Sequence, residues 1–228
     1  MKFIFYHIPK CGGSTLREFF KNVFLRNGVP LNNIYLAAET QNKPNIMDHD
    51  QLRVFKNKFK NTEVLLAHIN NHFYPRLKAD LRLTCIRNPI HRAISSFNHF
   101  TISETPGANL IELFKANNLS SVIKNCYSCP IWLRPDINDY NFIVVFENLE
   151  NDLKFVTNKL NCKGTDFIIP HIDPCKQNKI NPNHFKLDMK DEIHLKMYNS
   201  LKEILREDII IYNTICKSRM LEHLLIEI

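Results

Sequence analysis

Five short apolar runs, separated by stretches with helical periodicity, set the architecture that the chain predicts. Continuous apolar character predicts buried strands over Lys2–Ile8, Asn32–Ala38, Glu63–Ala67, Leu81–Ile86 and Asn141–Phe146. Apolar residues three and four positions apart predict helices over residues 14–26, 89–100, 108–117 and 149–160, near residues 50–60 and across the last forty residues. Continuous apolar strands alternating with helices are typical of a parallel sheet covered on both faces. We therefore predict a single α/β domain over residues 1–228, with three layers and a central parallel sheet flanked by helices.

Ligands of such sheets bind at the carboxyl ends of the strands, so the loops that follow the strands are the places to look for chemistry. The loop after the first strand reads PKCGGST. Gly12 and Gly13 let the backbone approach an anion, and the start of the next helix offers N–H groups and the positive end of a dipole. Ser14 and Thr15 add hydroxyl donors, and Lys10 adds a mobile charge. The lysine precedes the glycines, so this is not a Walker A loop; a plain strand-to-helix turn is the alternative.

The loop after the fourth strand reads CIRNPIHRAISSFNHF and also suits an anion. Arg87 follows the strand directly, where its guanidinium can bind a phosphate through two N–H groups. Asn88 and Pro89 fit the N-cap and first position of a helix. Four polar side chains follow on one face of that helix or its flank: Arg92, Ser95, Ser96 and His99. A capped amphipathic helix without an anion site is the alternative. For Arg92 two interpretations are open: it assists the anion site, or it only faces solvent.

Together the two loops resemble the donor-binding motifs of sulfotransferases that use 3′-phosphoadenosine 5′-phosphosulfate (PAPS). HIPKCGGSTL is similar to the 5′-phosphosulfate loop of the carbohydrate branch, which includes heparan sulfate 2-O-sulfotransferase-like enzymes. An Arg after a strand with a Ser eight positions later, here Arg87 and Ser95, resembles the 3′-phosphate motif. The resemblance implies a P-loop-like fold, a carbohydrate hydroxyl as acceptor and 3′-phosphoadenosine 5′-phosphate (PAP) as product. It implies donor-binding roles for Pro9, Lys10, Cys11, Gly12, Gly13, Ser14, Thr15, Arg87, Ser95 and Lys179.

The acceptor hydroxyl must lose a proton as it attacks sulfur, which requires a base. His68 follows the strand EVLLA, and the pKa of a histidine near neutrality suits the task. The family often has a Gly-His pair at this place, where this chain has Ala67-His68. His72 is the rival base and is otherwise assigned to the acceptor, and Glu39 is a reserve candidate. The resemblance thus gives catalytic roles to Lys10, which stabilises the leaving phosphate, and to His68.

The C-terminal half resembles the family more loosely. FIVVFENLENDLKFVTNKL places Glu147 after a buried strand, where it would orient the acceptor or hold a basic side chain; a carboxylate at a helix start is the alternative. IPHIDPCKQNKINPN is similar to a later family loop in which Lys179 or Asn181 would close over the nucleotide. Residues 101–140 match no motif of the family.

Charge is concentrated at one end of the sequence. The formal net charge is +7, and residues 1–100 carry fifteen Lys and Arg against six Asp and Glu. A basic N-terminal half favours an anionic ligand, although the same charge could be scattered over a solvated surface. Seven cysteines occur, and Cys126 with Cys129 forms a lone C-x-x-C, which is poor evidence for zinc and leaves both a disulfide and free thiols open. The scheme requires no metal, because lysine, arginine and backbone groups supply the positive charge.

Rival functions would require motifs that this sequence lacks, and the sequence also suggests where in the cell the protein acts. A nucleotide kinase would need a lysine after the glycines and acidic Mg²⁺ ligands, and an RNA-binding protein would need aromatic recognition motifs, so we expect no nucleic-acid partner. A degenerate sulfotransferase that binds nucleotide or acidic glycan without turnover stays open. No run reaches the roughly 18 apolar residues of a membrane span. We expect a soluble protein, cytoplasmic in a microbe or virus, or lumenal in the Golgi if this is an excised catalytic domain. The acceptor and the oligomeric state are not predicted.

Overall fold

A computed structural model of the chain describes residues 1–37, 57, 60, 62–67, 78–103, 109–121, 123, 140–162, 169 and 185–226. The chain divides into two compact units. The first comprises Met1–Ile86 with Arg134–Ile172, and the second Arg87–Leu133 with Asp173–Ile228. The single domain expected over residues 1–228 stays a prediction.

The described strands and helices follow the predicted order. The strands are β1 (Phe3–Tyr6), β2 (Ile34–Ala37), β3 (Val64–Ala67), β4 (Leu81–Ile86) and β5 (Phe142–Val145). The helices are α1 (Gly13–Arg26), α2 (Pro89–Ser103), α3 (Leu110–Lys115), α4 (Leu149–Lys159), α5 (Glu192–Ile204) and α6 (Arg206–Ile226). The helix expected near residues 50–60 falls almost entirely outside the described residues. No helix in the described part of the chain combines the length and the apolar character needed to cross a membrane.

The first unit contains a five-stranded sheet in the order β2-β3-β1-β4-β5. Every described strand pair is parallel. The predicted α/β fold, with a central parallel sheet and helices around it, is confirmed. After β1, the chain forms β2 and β3 on one side of β1 and then β4 and β5 on the other side. The strand order therefore reverses between β1 and β4, and the carboxyl ends at such a reversal are where open α/β sheets bind ligands.

The apolar core of the first unit is built around β1. All four of its residues are fully buried, as expected for a central strand with neighbours on both edges. Rings on α1 cover one face of this strand: the centroid of Phe3 lies 5.2 Å from Phe20 and 4.9 Å from Phe24. Helix α1 ends where Gly28 adopts a φ of 85°, a left-handed conformation that terminates many helices. This packing fixes the start of α1 beside the end of β1.

The β5 edge of the sheet is covered by α4, which follows β5 in the chain. Leu153 and Val156 of α4 are buried, as their spacing along the helix predicts. Phe142 of β5 meets Phe155 of α4 edge to face, with ring centroids 5.9 Å apart. Between strand and helix lies a single 3₁₀ turn, Phe146–Asn148. The turn is thus held between a packed strand and a packed helix.

The second unit is helical in the described residues. Its apolar core joins α2 to α5 and includes Ile90, Ala93, Ile94, Phe97, Leu110, Leu119, Ile123, Met197, Leu201 and Leu205. Asn98 on α2 is buried and binds the backbone of Phe185 twice, donating to its carbonyl at 2.9 Å and accepting from its N–H at 3.0 Å. These two hydrogen bonds attach the chain segment that leads into α5 to the middle of α2.

Candidate active site

The loop after β1 turns tightly. The Cys11 N–H donates to the carbonyl of Ile8 at 3.3 Å, and Lys10 and Gly12 both adopt left-handed conformations, with φ of 65° and 74°. The Cys11 side chain lies between them and is fully buried. Left-handed backbone is easily adopted by glycine and is strained for lysine. The turn redirects the chain so that α1 begins at Gly13, after a short loop that follows the end of β1 at Tyr6.

The N-terminus of α1 offers several hydrogen-bond donors to a ligand. Its first helical bond runs from the Leu16 N–H to the Gly12 carbonyl at 3.0 Å, so the N–H groups of Gly13, Ser14 and Thr15 have no acceptor within the helix. Gly12 at the N-cap has no side chain, and the first turn of the helix carries no acidic residue. The side chains of Ser14 and Thr15 are half-buried. Such a helix start, with its positive dipole end and added hydroxyls, fits a phosphate or sulfate oxyanion.

Both glycines of the loop lie against aromatic rings. A Cβ placed on Gly13 would overlap the imidazole of His7, which is nearly fully buried. A Cβ placed on Gly12 would lie 2.6 Å from Cε2 of Phe146 and 2.7 Å from Cδ2. Real Cβ atoms do not approach a ring so closely, so neither position has room for a larger residue. The loop needs both glycines for this close packing, and it needs Gly12 also for the left-handed turn.

The loop after β4 begins with Arg87, which follows Ile86 directly and is half-buried. Asn88 caps α2: its Oδ1 accepts the N–H of Ile90 at 3.0 Å and of His91 at 3.3 Å. The predicted N-cap and first-position proline of α2 are therefore confirmed. β4 pairs with β1 in parallel, with Thr84 opposite Tyr6, and the Thr84 hydroxyl donates to the Tyr6 carbonyl at 3.0 Å. The strand preceding Arg87 thus neighbours the strand preceding Lys10.

The polar side chains of α2 differ in their exposure. Arg92 is 1% exposed and Ser96 is 2% exposed, whereas Ser95 is half-buried and His99 is exposed. The alternative in which Arg92 only faces solvent is therefore wrong. Arg92 therefore lies in the interior of the protein, where an arginine is rarely found unless its charge has a specific role. Ser95 keeps the partial exposure that a ligand-binding hydroxyl needs.

Several predicted site residues fall outside the described part of the chain. β3 ends at Ala67, which is opposite Tyr6 in the parallel pair with β1. His68 is the next residue in the sequence and lies outside the described residues, as do Glu39, His72, Lys179 and Asn181. Their roles stay predictions.

Glu147 is described and lies in the 3₁₀ turn after β5, where its side chain is exposed. Glu150 follows in the first turn of α4 and accepts a hydrogen bond from Lys154 Nζ at 2.6 Å. That hydrogen bond lowers the pKa of the Glu150 carboxyl below its ordinary value. Glu147 is thus an exposed carboxyl in the turn after β5, and it follows Phe146, whose ring lies against Gly12.

The fold and the loops define a class first: an α/β protein whose glycine-containing loop after β1 lies at the point where the strand order of its parallel sheet reverses. The sulfotransferase family model matches residues 1–129, which contain the loops after β1, β3 and β4. The chain therefore belongs to the sulfotransferase family, whose members are transferases that move sulfuryl groups. A search of curated proteins finds no significant match to the chain.

Two residues that pack on the glycines of the loop after β1 cannot be recognised from the sequence. His7 falls within the predicted strand Lys2–Ile8, and nothing in that pattern reveals that its ring packs against the backbone of Gly13. Phe146 is the last residue of the predicted strand Asn141–Phe146. An aromatic residue at the carboxyl end of a strand is the only signal for it in the sequence, and that signal does not identify the partner.

Proposed function

We propose that the protein transfers the sulfuryl group of PAPS to a hydroxyl of a carbohydrate. The observation that carries the proposal is the loop after β1, where a tightly packed glycine pair leaves the N–H groups at the start of α1 for an oxyanion beside Lys10. Family membership supports the assignment of that oxyanion as the phosphosulfate of a sulfuryl donor. The carbohydrate acceptor rests on the likeness of HIPKCGGSTL to the carbohydrate branch, which includes the heparan sulfate 2-O-sulfotransferases.

The donor would be bound at both of its charged ends. We assign its 5′-phosphosulfate to residues 9–15 and its 3′-phosphate to Arg87 and Ser95, with Lys179 over the nucleotide. The adjacency of β1 and β4 supports this assignment, because the loop over residues 9–15 follows β1 and Arg87 directly follows β4. A guanidinium and a hydroxyl are suitable donors to a phosphate.

PAPS supplies a sulfuryl group that is already bonded to a good leaving group, the 5′-phosphate. His68 removes the proton from the acceptor hydroxyl as its oxygen forms a bond to sulfur. The bond between sulfur and the bridging phosphate oxygen breaks, and the Lys10 ammonium stabilises the negative charge that develops on that oxygen. The sulfuryl group stays on the acceptor as a sulfate ester, and PAP leaves with the electron pair. His72 and Glu147 orient the acceptor.

The position of β3 supports His68 as the base. β3 is the neighbour of β1 on the side opposite β4, and its last residue, Ala67, pairs with Tyr6. A residue that follows β3 directly therefore leaves the sheet from the same edge as the Lys10 loop. His72 is the alternative base, and Glu39 is held in reserve.

Calorimetry with PAP tests the proposal. We expect the protein to bind PAP in the absence of magnesium, because lysine, arginine and backbone donors provide the positive charge. Transfer of labelled sulfate from PAPS to a panel of glycans then separates an enzyme from a degenerate binder, which would bind PAP without turnover. Failure to bind PAP, with binding only of ATP and Mg²⁺, would contradict the proposal and favour a kinase.

A further inference from the structure

The ring of Phe146 lies directly on the backbone of Gly12. A Cβ at Gly12 would come within 2.7 Å of two atoms of this ring, and Gly12 has a φ of 74°. The ring therefore fills the space in which any other residue at position 12 would place its side chain. It also blocks movement of the backbone towards it, because a close-packed ring yields little. Gly12 is the N-cap of α1, so its conformation sets the direction of the N–H groups that follow.

Phe146 reaches this loop from a distant part of the chain. It begins the turn after β5, and β4 lies between β5 and β1 in the sheet. The turn is fixed by Asp152, a carboxylate that is 1% exposed. Its Oδ2 accepts the N–H of Val145 at 2.6 Å, and its Oδ1 accepts the side-chain N–H of Asn148 at 2.9 Å. Hydrogen bonds on both sides of Phe146 thus hold the ring in place, and charge-assisted bonds of this kind are strong.

We propose that Phe146 is a positioning residue for the sulfuryl donor: its ring holds Gly12 in the conformation that aims the first N–H groups of α1 at the 5′-phosphosulfate. This inference rests on the proposed function for the identity of the ligand. Phe146 and Asp152 both lie beyond residues 1–129, the span that the family model matches. The donor loop of this protein is thereby completed by a segment outside that span.

Substitution of Phe146, with a matched control, tests the proposal. We expect Phe146→Ala to weaken PAP binding about tenfold, because a glycine can adopt many backbone conformations and Gly12 loses the ring that holds it in one of them. Phe146→Leu should recover part of the affinity. Phe142→Ala is the control: it removes the same side chain from the same strand-and-turn segment, but its ring packs on Phe155. It should lower stability in urea without changing the Kd for PAP.

A double-mutant cycle separates positioning from general loss of structure. Gly12→Ala should weaken PAP binding strongly in the wild-type chain, because its Cβ meets the ring. In the Phe146→Ala background the same substitution should weaken binding less, since only the strain of the left-handed backbone remains. Equal effects of Gly12→Ala in both backgrounds, or an unchanged Kd for Phe146→Ala, would overturn the inference.

Binding of pyrophosphate and PAP to the wild-type chain distinguishes failure of the proposed function from failure of the positioning role. Should the wild-type chain bind pyrophosphate but not PAP, the loop binds oxyanions but the donor is not PAPS, and the same variants are compared on pyrophosphate. An effect of Phe146→Ala there supports the positioning role, and its absence overturns it. A wild-type chain that binds neither probe contradicts both proposals.

Discussion

Lys10 combines a charge with a backbone conformation that lysine rarely adopts. Its φ of 65° costs about 1–2 kcal/mol for a residue with a Cβ. The cost is tolerated because the next residue, Cys11, is fully buried and its N–H is bonded to the carbonyl of Ile8. Strain of this kind persists where the surroundings fix the backbone, and it is concentrated at functional sites. At this position the conformation determines where the lysine side chain leaves the loop.

The roles proposed for Lys10, His68 and Arg87 predict whether replacing each residue changes mainly kcat or mainly KM. Lys10→Ala and His68→Ala should lower kcat by about a hundredfold or more, since each group acts as charge develops in the transition state. His68→Ala should leave the Kd for PAP unchanged. Arg87→Ala should mainly raise KM for PAPS, because it removes binding of the 3′-phosphate. Steady-state kinetics with PAPS would check all three, and near-normal turnover by the His68→Ala variant would rule out its assignment as base.

The part of the candidate site that depends on residues close together in the sequence could be predicted from the sequence. The turn with its glycine pair and the capping Asn88 could be predicted, because each acts through the backbone within a few positions of itself. The contacts of His7 with Gly13 and of Phe146 with Gly12 could not. They depend on which strands become neighbours, and no local pattern encodes that. The burial of Arg92 is of the same kind, since helical periodicity assigns it to a face but not to a neighbour.

At the scale of elements, the strands were located more reliably than their ends. The apolar run Lys2–Ile8 predicted the first strand, yet β1 spans only Phe3–Tyr6. Ile8 is fully buried although it lies beyond the strand. An apolar pattern reports burial, whereas a strand ends where its hydrogen-bonded neighbours end, as β3 does at Ala67 opposite Tyr6. Helix starts are sharper because capping chemistry marks them, as Asn88 does for α2.

Helix α5 has a cap whose charge gives a pH-dependent stability. Asp191 Oδ1 accepts the N–H of Ile193 at 2.8 Å and of His194 at 3.0 Å. The hydrogen bond from His194 is the main reason that the pKa of Asp191 lies below its ordinary value of 3.8. A carboxyl whose pKa is lower in the folded chain stabilises the fold above pH 3.8. The contribution is lost as the pH falls from there through the folded-state pKa.

We therefore expect Asp191→Asn to be nearly as stable as wild type at pH 7, because asparagine also caps helices. Below pH 3.8 wild type should lose stability more steeply than this variant, which has no carboxyl to protonate at that position. Asp191→Ala should have a lower urea midpoint at pH 7, since it has neither cap nor charge. Urea unfolding between pH 3 and pH 7 measures these differences. Identical pH profiles for wild type and Asp191→Asn would contradict the assignment.

At the scale of the whole molecule, the first passage of the chain between the two units is not marked by a linker in the sequence. The chain passes from one unit to the other at Ile86 and Arg87, where a strand leads straight into a capped helix. Domain boundaries are usually recognised by polar, Gly-rich or Pro-rich linkers, and none separates these residues. The parallel sheet itself was predictable, because its continuous apolar strands differ from the alternating pattern of a half-exposed sheet.

The basic character of the whole chain leads to a prediction about its stability. PAP at one hundred times its Kd should raise the free energy of unfolding by about 2.7 kcal/mol, as for any ligand that binds only the folded chain. At a fixed concentration of PAP the stabilisation should fall as salt is added, because salt screens the attraction between the anion and a chain of net charge +7. Thermal unfolding at low and high ionic strength would measure it, with adenosine 5′-monophosphate as the control that lacks the 3′-phosphate. Equal, salt-independent shifts from both nucleotides would argue against recognition of the 3′-phosphate.

The central place of β1 in the sheet has a consequence for how the protein meets its ligand. β1 is hydrogen-bonded along both edges, to β3 and to β4, and none of its side chains reaches solvent. Amide protons in such a strand exchange with water only in rare large-scale openings. The loop that extends from it is therefore mounted on the most persistent part of the first unit. An anion arriving there meets donors that are already preorganised, so its binding has little ordering entropy to overcome.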